Sequence, residues 1–319
     1  MAYSKIDVHA HYLSPGYKQF LKDQFNDMGD GVKTPEYSID TTLGIMDQAN
    51  IEYSYLSISS PHINTGEASS TLELADEVNE YASTQAQKYS DKIGFFASLP
   101  LPYVDESLKV IDQITKENVA AGYTMPTNSR GTYIGDPSLD PIMKALDDNH
   151  AIVALHPNAP GVSVPNVNED IPDPILEFFF DTTRTVVNML DKRIFSRFPN
   201  IKFIIPHAGA VLPIVANRIP LAKGLNPELS ADQLEIQKAM STQYFDVAGM
   251  VMSQQLPALL QMINPDHLLY ASDTPYTPTP VVLDLANKLE TNDMLSEPLK
   301  EKMFRQNAVR LFDLKLSEL

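Results

Sequence analysis

Lys5-Ile-Asp-Val-His9-Ala-His11 is an apolar, strand-like run that ends on two histidines, and its pattern returns along the chain. Ala151-Ile-Val-Ala-Leu-His156 and Ile201-Lys-Phe-Ile-Ile-Pro-His207 also end on histidine, and Leu268-Leu-Tyr-Ala-Ser-Asp273 ends on aspartate. Chemistry-bearing residues at the downstream ends of successive strands are what a β/α barrel gathers at its C-terminal mouth. Further apolar runs at 53–58, 93–97, 120–125 and 244–247 bring the strands to eight. Stretches with helical periodicity separate them, at 71–89, 105–116, 137–148, 175–198, 211–223, 230–240 and 254–263, with two more near 280–289 and 298–312. The alternation predicts an α/β chain closed as a (β/α)8 TIM barrel. Continuously apolar strands fit burial on both faces.

Residues 1–319 read as a single domain, because no repeat, low-complexity tract or linker divides them. The 24 prolines punctuate the loops after strands. Two insertions, around 12–36 and 158–174, exceed ordinary connections and are expected to fold over the barrel mouth as a cap.

The formal net charge of −17 excludes nucleic acid and anionic membrane surfaces as partners, since both require a basic patch. No apolar run is long enough to span a bilayer. The opening residues contain no apolar signal core, so a cytoplasmic location is expected. The absence of cysteine removes disulfides, thiolate metal sites and a cysteine nucleophile, leaving nitrogen and oxygen as the only metal donors. A bound divalent ion would then supply the positive charge that an anionic small substrate needs.

His9 and His11 lie two apart at the end of one strand, so their side chains share a face. His156 from strand five and Asp273 from strand eight reach the same axis only if the sheet closes. Three imidazoles and one carboxylate leave a coordination position open for water or substrate. His207, directly after Pro206, is placed to move a proton. His150 and His267 fall at the opposite strand ends and receive no chemical role. His62, after strand two, faces the mouth as either a substrate contact or a loop residue. Asp7 either points away from His9 or supports it. Phe180, in Phe178-Phe-Phe180, is expected at an aromatic substrate, and Arg184 and Lys33 are candidate carboxylate clamps.

These residues resemble the amidohydrolase superfamily, in particular the amidohydrolase-related branch typified by aminocarboxymuconate-semialdehyde decarboxylase and γ-resorcylate decarboxylase. The resemblance rests on Ile6-Asp-Val-His-Ala-His11, Ala154-Leu-His-Pro157, Phe195-Ser-Arg-Phe-Pro-Asn-Ile-Lys-Phe203, Pro206-His-Ala-Gly209, Ala216-Asn-Arg-Ile219 and Tyr270-Ala-Ser-Asp-Thr-Pro275. It implies that His9, His11, His156 and Asp273 bind the metal while His207 is the catalytic acid or base, with Asp273 as the other candidate proton donor. The binuclear relatives' carbamylated lysine has no counterpart in Gly122-Tyr-Thr-Met-Pro-Thr-Asn-Ser129, which implies one ion, zinc first and manganese as the alternative. An arginine that grips a second carboxylate in the semialdehyde decarboxylase aligns with Asn226, which argues against a dicarboxylate substrate. Pro126-Thr-Asn-Ser-Arg-Gly-Thr-Tyr-Ile-Gly-Asp136 and Tyr244-Phe-Asp-Val-Ala-Gly249 are most similar to the 6-methylsalicylate decarboxylase type. The expected activity is therefore non-oxidative decarboxylation of a small aromatic carboxylate by a homodimeric enzyme. The alternative is metal-dependent hydrolysis of an ester, lactone or amide with the same ligands.

Overall fold

A computed structural model describes residues 2–226 and 233–315. Eight parallel strands follow one another around a ring in chain order: β1 (Lys5–His11), β2 (Ile51–Ser57), β3 (Ile93–Ser98), β4 (Gly122–Pro126), β5 (Ile152–His156), β6 (Lys202–Ile205), β7 (Tyr244–Asp246) and β8 (Leu268–Leu269). Backbone hydrogen bonds between β1 and the segment after β8 draw the ring together. The Val8 N–H donates to the Tyr270 carbonyl at 3.1 Å, the Asp273 N–H to the His9 carbonyl at 2.8 Å, and the His11 N–H to the Thr274 carbonyl at 2.7 Å. The same three bonds set His9, His11 and Asp273 beside one another.

A buried cluster containing Ile6, Val8, Tyr55, Phe96, Ala154, Ile204 and Leu269 draws on strands from different sides of the ring. Side chains so placed meet only across its interior. A larger cluster seals the outer face of the strands against the helices, with Val78 and Ala82 on Ala68–Lys88 and Val110 and Ile111 on Val104–Glu117 among its members. Fully burying such aliphatic side chains contributes roughly 1.5–3 kcal/mol each.

Several helices differ from the periodicity reading. The expected helix at 175–198 divides into Glu177–Asp191 and Ile194–Arg197, because Arg193 adopts a left-handed conformation, φ 59°. The stretch 211–223 becomes three short turns, Leu212–Val215, Ala216–Arg218 and Leu221–Leu225; Pro220 cannot donate to a continuing helix and stands at the last break, while Pro213 sits in the first turn, where no donor is needed. Of the helix read at 230–240, residues 230–232 lie outside the described residues and the remainder falls in Gln233–Thr242. Helix Ile39–Ala49 has no counterpart in that reading. Ser38 caps its N-terminus and left-handed Asn50 ends it.

The first insertion is not simply a loop. Ser14 accepts the Tyr17 N–H to start helix Pro15–Phe25, and a two-stranded hairpin, Met28–Gly29 against Val32–Lys33, follows. The tip of that hairpin meets the second insertion, where the Asp173 N–H donates to the Asp30 carbonyl at 3.1 Å. The two insertions thus clasp each other. No described helix is long and apolar enough to cross a membrane.

Candidate metal and substrate site

The register of β1 against β2 slips between Asp7 and Ala10, so that three steps on β1 match two on its neighbour, Ser54 to Leu56. A bulge of this kind re-aims side chains, and it falls at His9. His9, His11 and His156 are buried, and each offers a ring nitrogen within 4.8 Å of the others.

The opposite ring nitrogens are spoken for. His9 Nδ1 donates to Asp246 Oδ2 at 2.9 Å, His156 Nδ1 to the Pro157 carbonyl at 2.7 Å, and His11 Nδ1 to the Ser57 carbonyl at 3.3 Å. With the protons on Nδ1, each Nε2 carries a lone pair. His9 Nε2 is buried without a hydrogen-bond partner. Asp273 Oδ1 stands 3.2 Å from His11 Nε2 and 3.8 Å from His9 Nε2. The Ser59 hydroxyl, 3.4 Å away, can serve His156 Nε2, but lone pairs on His9 and His11 this close to the Asp273 carboxylate repel unless a proton or a cation sits among them. The donor set therefore fits a divalent metal ion held by three imidazoles and a carboxylate.

The electrostatics point the same way. Burial pushes the Asp7 carboxyl up to about 7, although hydrogen bonds from Ser272 and the His9 N–H partly offset it. Burial also opposes ionisation of Asp273 and Asp246. With protons rather than a cation filling the cluster, the His11 ring proton and the nearby imidazoles take Asp273 down to about 2, and a charged His9 brings Asp246 below its ordinary value. His9 itself is drawn up to about 9: burial opposes its charge, but Asp246, Asp273 and Asp7 outweigh that. The carboxylates thus favour positive charge at this cluster, which a proton on His9 supplies in the absence of a cation and a divalent ion would supply in its place.

His207 sits at the end of β6 in left-handed backbone, φ 55°, as does Asp273 after β8, φ 60°. For residues other than glycine this conformation is strained, and it persists where the surroundings enforce it. Asp246 supplies the enforcement at His207, accepting its N–H on Oδ1 at 2.9 Å while Oδ2 holds the His9 ring. One carboxylate thereby positions both residues. The His207 ring lies 5.2 Å from the His9 ring and stacks on Phe179 at 5.8 Å.

These residues open into a cavity of about 400 Å³ whose lining includes His156, His207, Asp273, Phe178 and Phe179. Ile175, Pro174 and Val32 extend its apolar wall, and Ser59, Ser60, Tyr276 and Asp30 form a polar one. Among the described residues no lysine or arginine lines it.

The structure separates the remaining expected site residues from this cavity. Phe180 is 44% exposed and does not line it, since the helix from Glu177 presents Phe178 and Phe179 instead. Arg184 lines a larger outer concavity and pairs with buried Asp181 at 2.8 Å. Asp181 also accepts from Thr127, Asn128 and Tyr133, so that carboxylate is fully engaged just beyond β4. Lys33 is exposed on the hairpin. His62 is buried rather than solvated, with Nε2 unpartnered and its pKa pushed down to about 3 by burial, and it does not line the cavity. Asn226 is exposed at the end of Leu221–Leu225. His150 is exposed, and His267 stacks on Tyr244 at the far end of the ring. Asp246 was given no role from sequence, though an aspartate at the end of strand seven carries the same positional signal as Asp273.

Against known proteins, the sequence profile described as Amidohydrolase matches residues 6–314. The 6-methylsalicylic acid decarboxylase of Penicillium expansum is 30% identical over 97% of this chain and 96% of its own length. Among solved structures, one described as an amidohydrolase II is 44% identical, with a TM-score of 0.93 over 98% of this chain and 100% of that one. The 5-carboxyvanillate decarboxylase of Novosphingobium aromaticivorans, complexed with manganese and 4-hydroxy-3-methoxy-5-nitrobenzoic acid, shares the fold at TM-score 0.87 and 19% identity, covering 98% and 97% of the two chains. With its barrel, its buried imidazole cluster and a profile match along nearly its whole length, the chain belongs to the amidohydrolase family.

Proposed function

We propose that the protein is a metal-dependent, non-oxidative decarboxylase of a small aromatic monocarboxylate, a hydroxybenzoate of the 6-methylsalicylate kind. The observation that carries this reading is the meeting, in one cavity, of a cluster suited to a cation and the aromatic wall of Phe178 and Phe179, with no lysine or arginine among the described lining residues. A single carboxylate would find its countercharge only at the cluster. The 6-methylsalicylic acid decarboxylase among the relatives supports the same substrate class.

Loss of carbon dioxide from an aromatic ring would leave an aryl carbanion, so the ring carbon must gain a proton before or as the bond breaks. His9, His11, His156 and Asp273 would hold a divalent ion, which would supply Lewis-acid chemistry toward the substrate's carboxylate. Phe178 and Phe179 fix the ring plane and exclude water. The proton comes from the Asp273 carboxyl or from a His207 ring nitrogen, both of which line the cavity, and solvent restores it. General acid catalysis of this kind contributes roughly a hundred- to ten-thousandfold. Zinc is the proposed metal, with manganese the alternative. We further propose that residues 1–319 act as one domain, as a homodimer, in the cytoplasm.

The test is a screen of metal-replete enzyme against hydroxybenzoates and small lactones, following carbon dioxide and ring products. Stoichiometric gas release with protonation at the vacated carbon is expected. Lactone opening without gas would overturn the reading. Metal analysis, sedimentation and cell fractionation test the remaining assignments.

A further inference from the structure

Asp30 and Gly31 are the two residues between the hairpin strands, with φ of 53° and 76°. Left-handed values at both positions are the signature of a type I′ turn, for which Asp-Gly is a favoured pair. The turn carries Asp30 to the wall of the cavity, and the Asp173 N–H on its carbonyl holds it there. A side chain on Gly31 would come within 3.1 Å of the Pro172 backbone, so the tip is seated against the second insertion. Asp30 is thus fixed in position without belonging to the imidazole cluster.

Its carboxylate is short of donors. Oδ2 is buried with no hydrogen-bond partner. Among the described residues the one side chain that donates toward Asp30 is Ser60, and that hydroxyl also lies against Asn158 Oδ1. A single hydroxyl proton cannot serve both acceptors. Among the described residues Asp173, Tyr17 and Tyr276 interact electrostatically with Asp30, and none is a cation; the Tyr17 hydroxyl donates to the Ser59 carbonyl at 3.2 Å. Burial accordingly pushes its carboxyl up to about 6. A buried acceptor with an open lone pair on a ligand cavity is most readily satisfied by the ligand.

We propose that Asp30 is a specificity-determining residue of the cavity: it accepts a hydrogen bond from a hydroxyl on the aromatic substrate and turns away substrates with a second carboxylate. Charge sets the orientation. The substrate's carboxylate is repelled by Asp30 and drawn to the cluster around His9, so a ring hydroxyl is left to face Asp30. This inference rests on the reading of the site as one for aromatic carboxylates, and it adds which substituents that site prefers.

The experiment is calorimetric binding to metal-loaded wild type, Asp30→Asn and Asp30→Ala. The ligands are three sets of benzoates, bearing a ring hydroxyl, a methoxy group at the same carbon, or a second carboxylate. Asparagine tolerates left-handed backbone and keeps the turn, whereas alanine tests removal of the acceptor altogether. Wild type is expected to favour some hydroxyl isomer over its methoxy counterpart by about ten- to a hundredfold, the scale of a hydrogen bond to a charged group. That preference should collapse in Asp30→Ala, and Asp30→Asn should bind the dicarboxylates more tightly than wild type does. Unchanged rankings in both variants overturn the proposal, and so does failure of every benzoate to bind. Because binding is read separately from carbon dioxide release, an enzyme that binds these acids without decarboxylating them would refute the activity while still reporting on Asp30.

Discussion

β1 buries charge at both of its ends, and the two ends are finished differently. At its start, Lys5 Nζ is fully supplied: the Glu290 carboxylate accepts at 2.6 Å, the Tyr3 carbonyl at 2.9 Å and the Ala49 carbonyl at 3.0 Å. The ammonium also lies 5.1 Å from the centre of the Phe304 ring. Four residues on, His9 has one ring nitrogen held by Asp246 and the other facing nothing that can donate. An ammonium with three acceptors is a closed structural joint. A convergent set of acceptors with only the Ser59 hydroxyl at its edge to donate is an opening for a ligand. The contrast teaches that burial of charge does not mark a functional site, whereas burial of charge left incomplete by the protein does.

The largest effect should come from breaking the open end. His9→Ala removes a donor from the cluster and is expected to empty the site of metal. Turnover should fall by more than about a thousandfold, the scale of several kcal/mol of charge stabilisation. Thermal stability should also fall in the metal-free comparison, because Asp246 Oδ2 loses the His9 ring proton it accepts at 2.9 Å, although Oδ1 keeps its backbone donors. Metal analysis of the purified variant decides this, and one ion per chain would sink the assignment.

The closed end predicts the reverse pattern. Lys5→Met leaves the Glu290 carboxylate buried beside an apolar chain, a change that costs about 3–5 kcal/mol when one partner of a buried pair is removed. Denaturant unfolding should show that loss, while the folded fraction keeps its metal content. Lys5→Met combined with Glu290→Leu should recover most of the stability, since replacing both partners leaves no orphaned charge. Failure of the double variant to recover would mean that the pair's two carbonyl contacts, not its charge, secure this end.

The same contrast explains what the sequence made legible. The strands were readable because apolar runs ending in histidine or aspartate recur in register with the fold, and closure at Val8–Tyr270 and His9–Asp273 is what makes those endings converge. The apolar periodicity of 211–223 does not register Pro220, which forbids continuation into Leu221–Leu225. In Phe178-Phe-Phe180 the composition was informative but the facing residues were not, since only the angle at which the helix leaves Glu177 selects Phe178 and Phe179 for the cavity. Arg184 read as a carboxylate clamp until its partner was known. Asp181 lies three residues away, but its burial among Thr127, Asn128 and Tyr133 is a tertiary fact. Asp30-Gly31 did carry a local signal, the Asp-Gly hairpin turn, within a stretch that otherwise read as a loop.

Asp246 sharpens the comparison by a smaller step, because it touches the open site only through residues that do. Its Oδ2 accepts the His9 ring proton, while Oδ1 accepts backbone N–H groups from both His207 and Ala248. Asparagine offers a single acceptor oxygen, so in Asp246→Asn an amide N–H must confront either the His9 Nδ1 proton or those backbone donors. If the oxygen turns to the backbone, the His9 imidazole loses its anchor and its basicity. If it turns to His9, the strained turn at His207 loses its support. Either way the donor set is less well held, and loss of such a supporting partner typically weakens metal affinity by about 10–100-fold. Chelator competition on Asp246→Asn should show that weakening with the fold intact. Wild-type affinity in this variant would mean that the β1 bulge alone aims His9, and that the open end of the strand is preorganised by backbone rather than by charge.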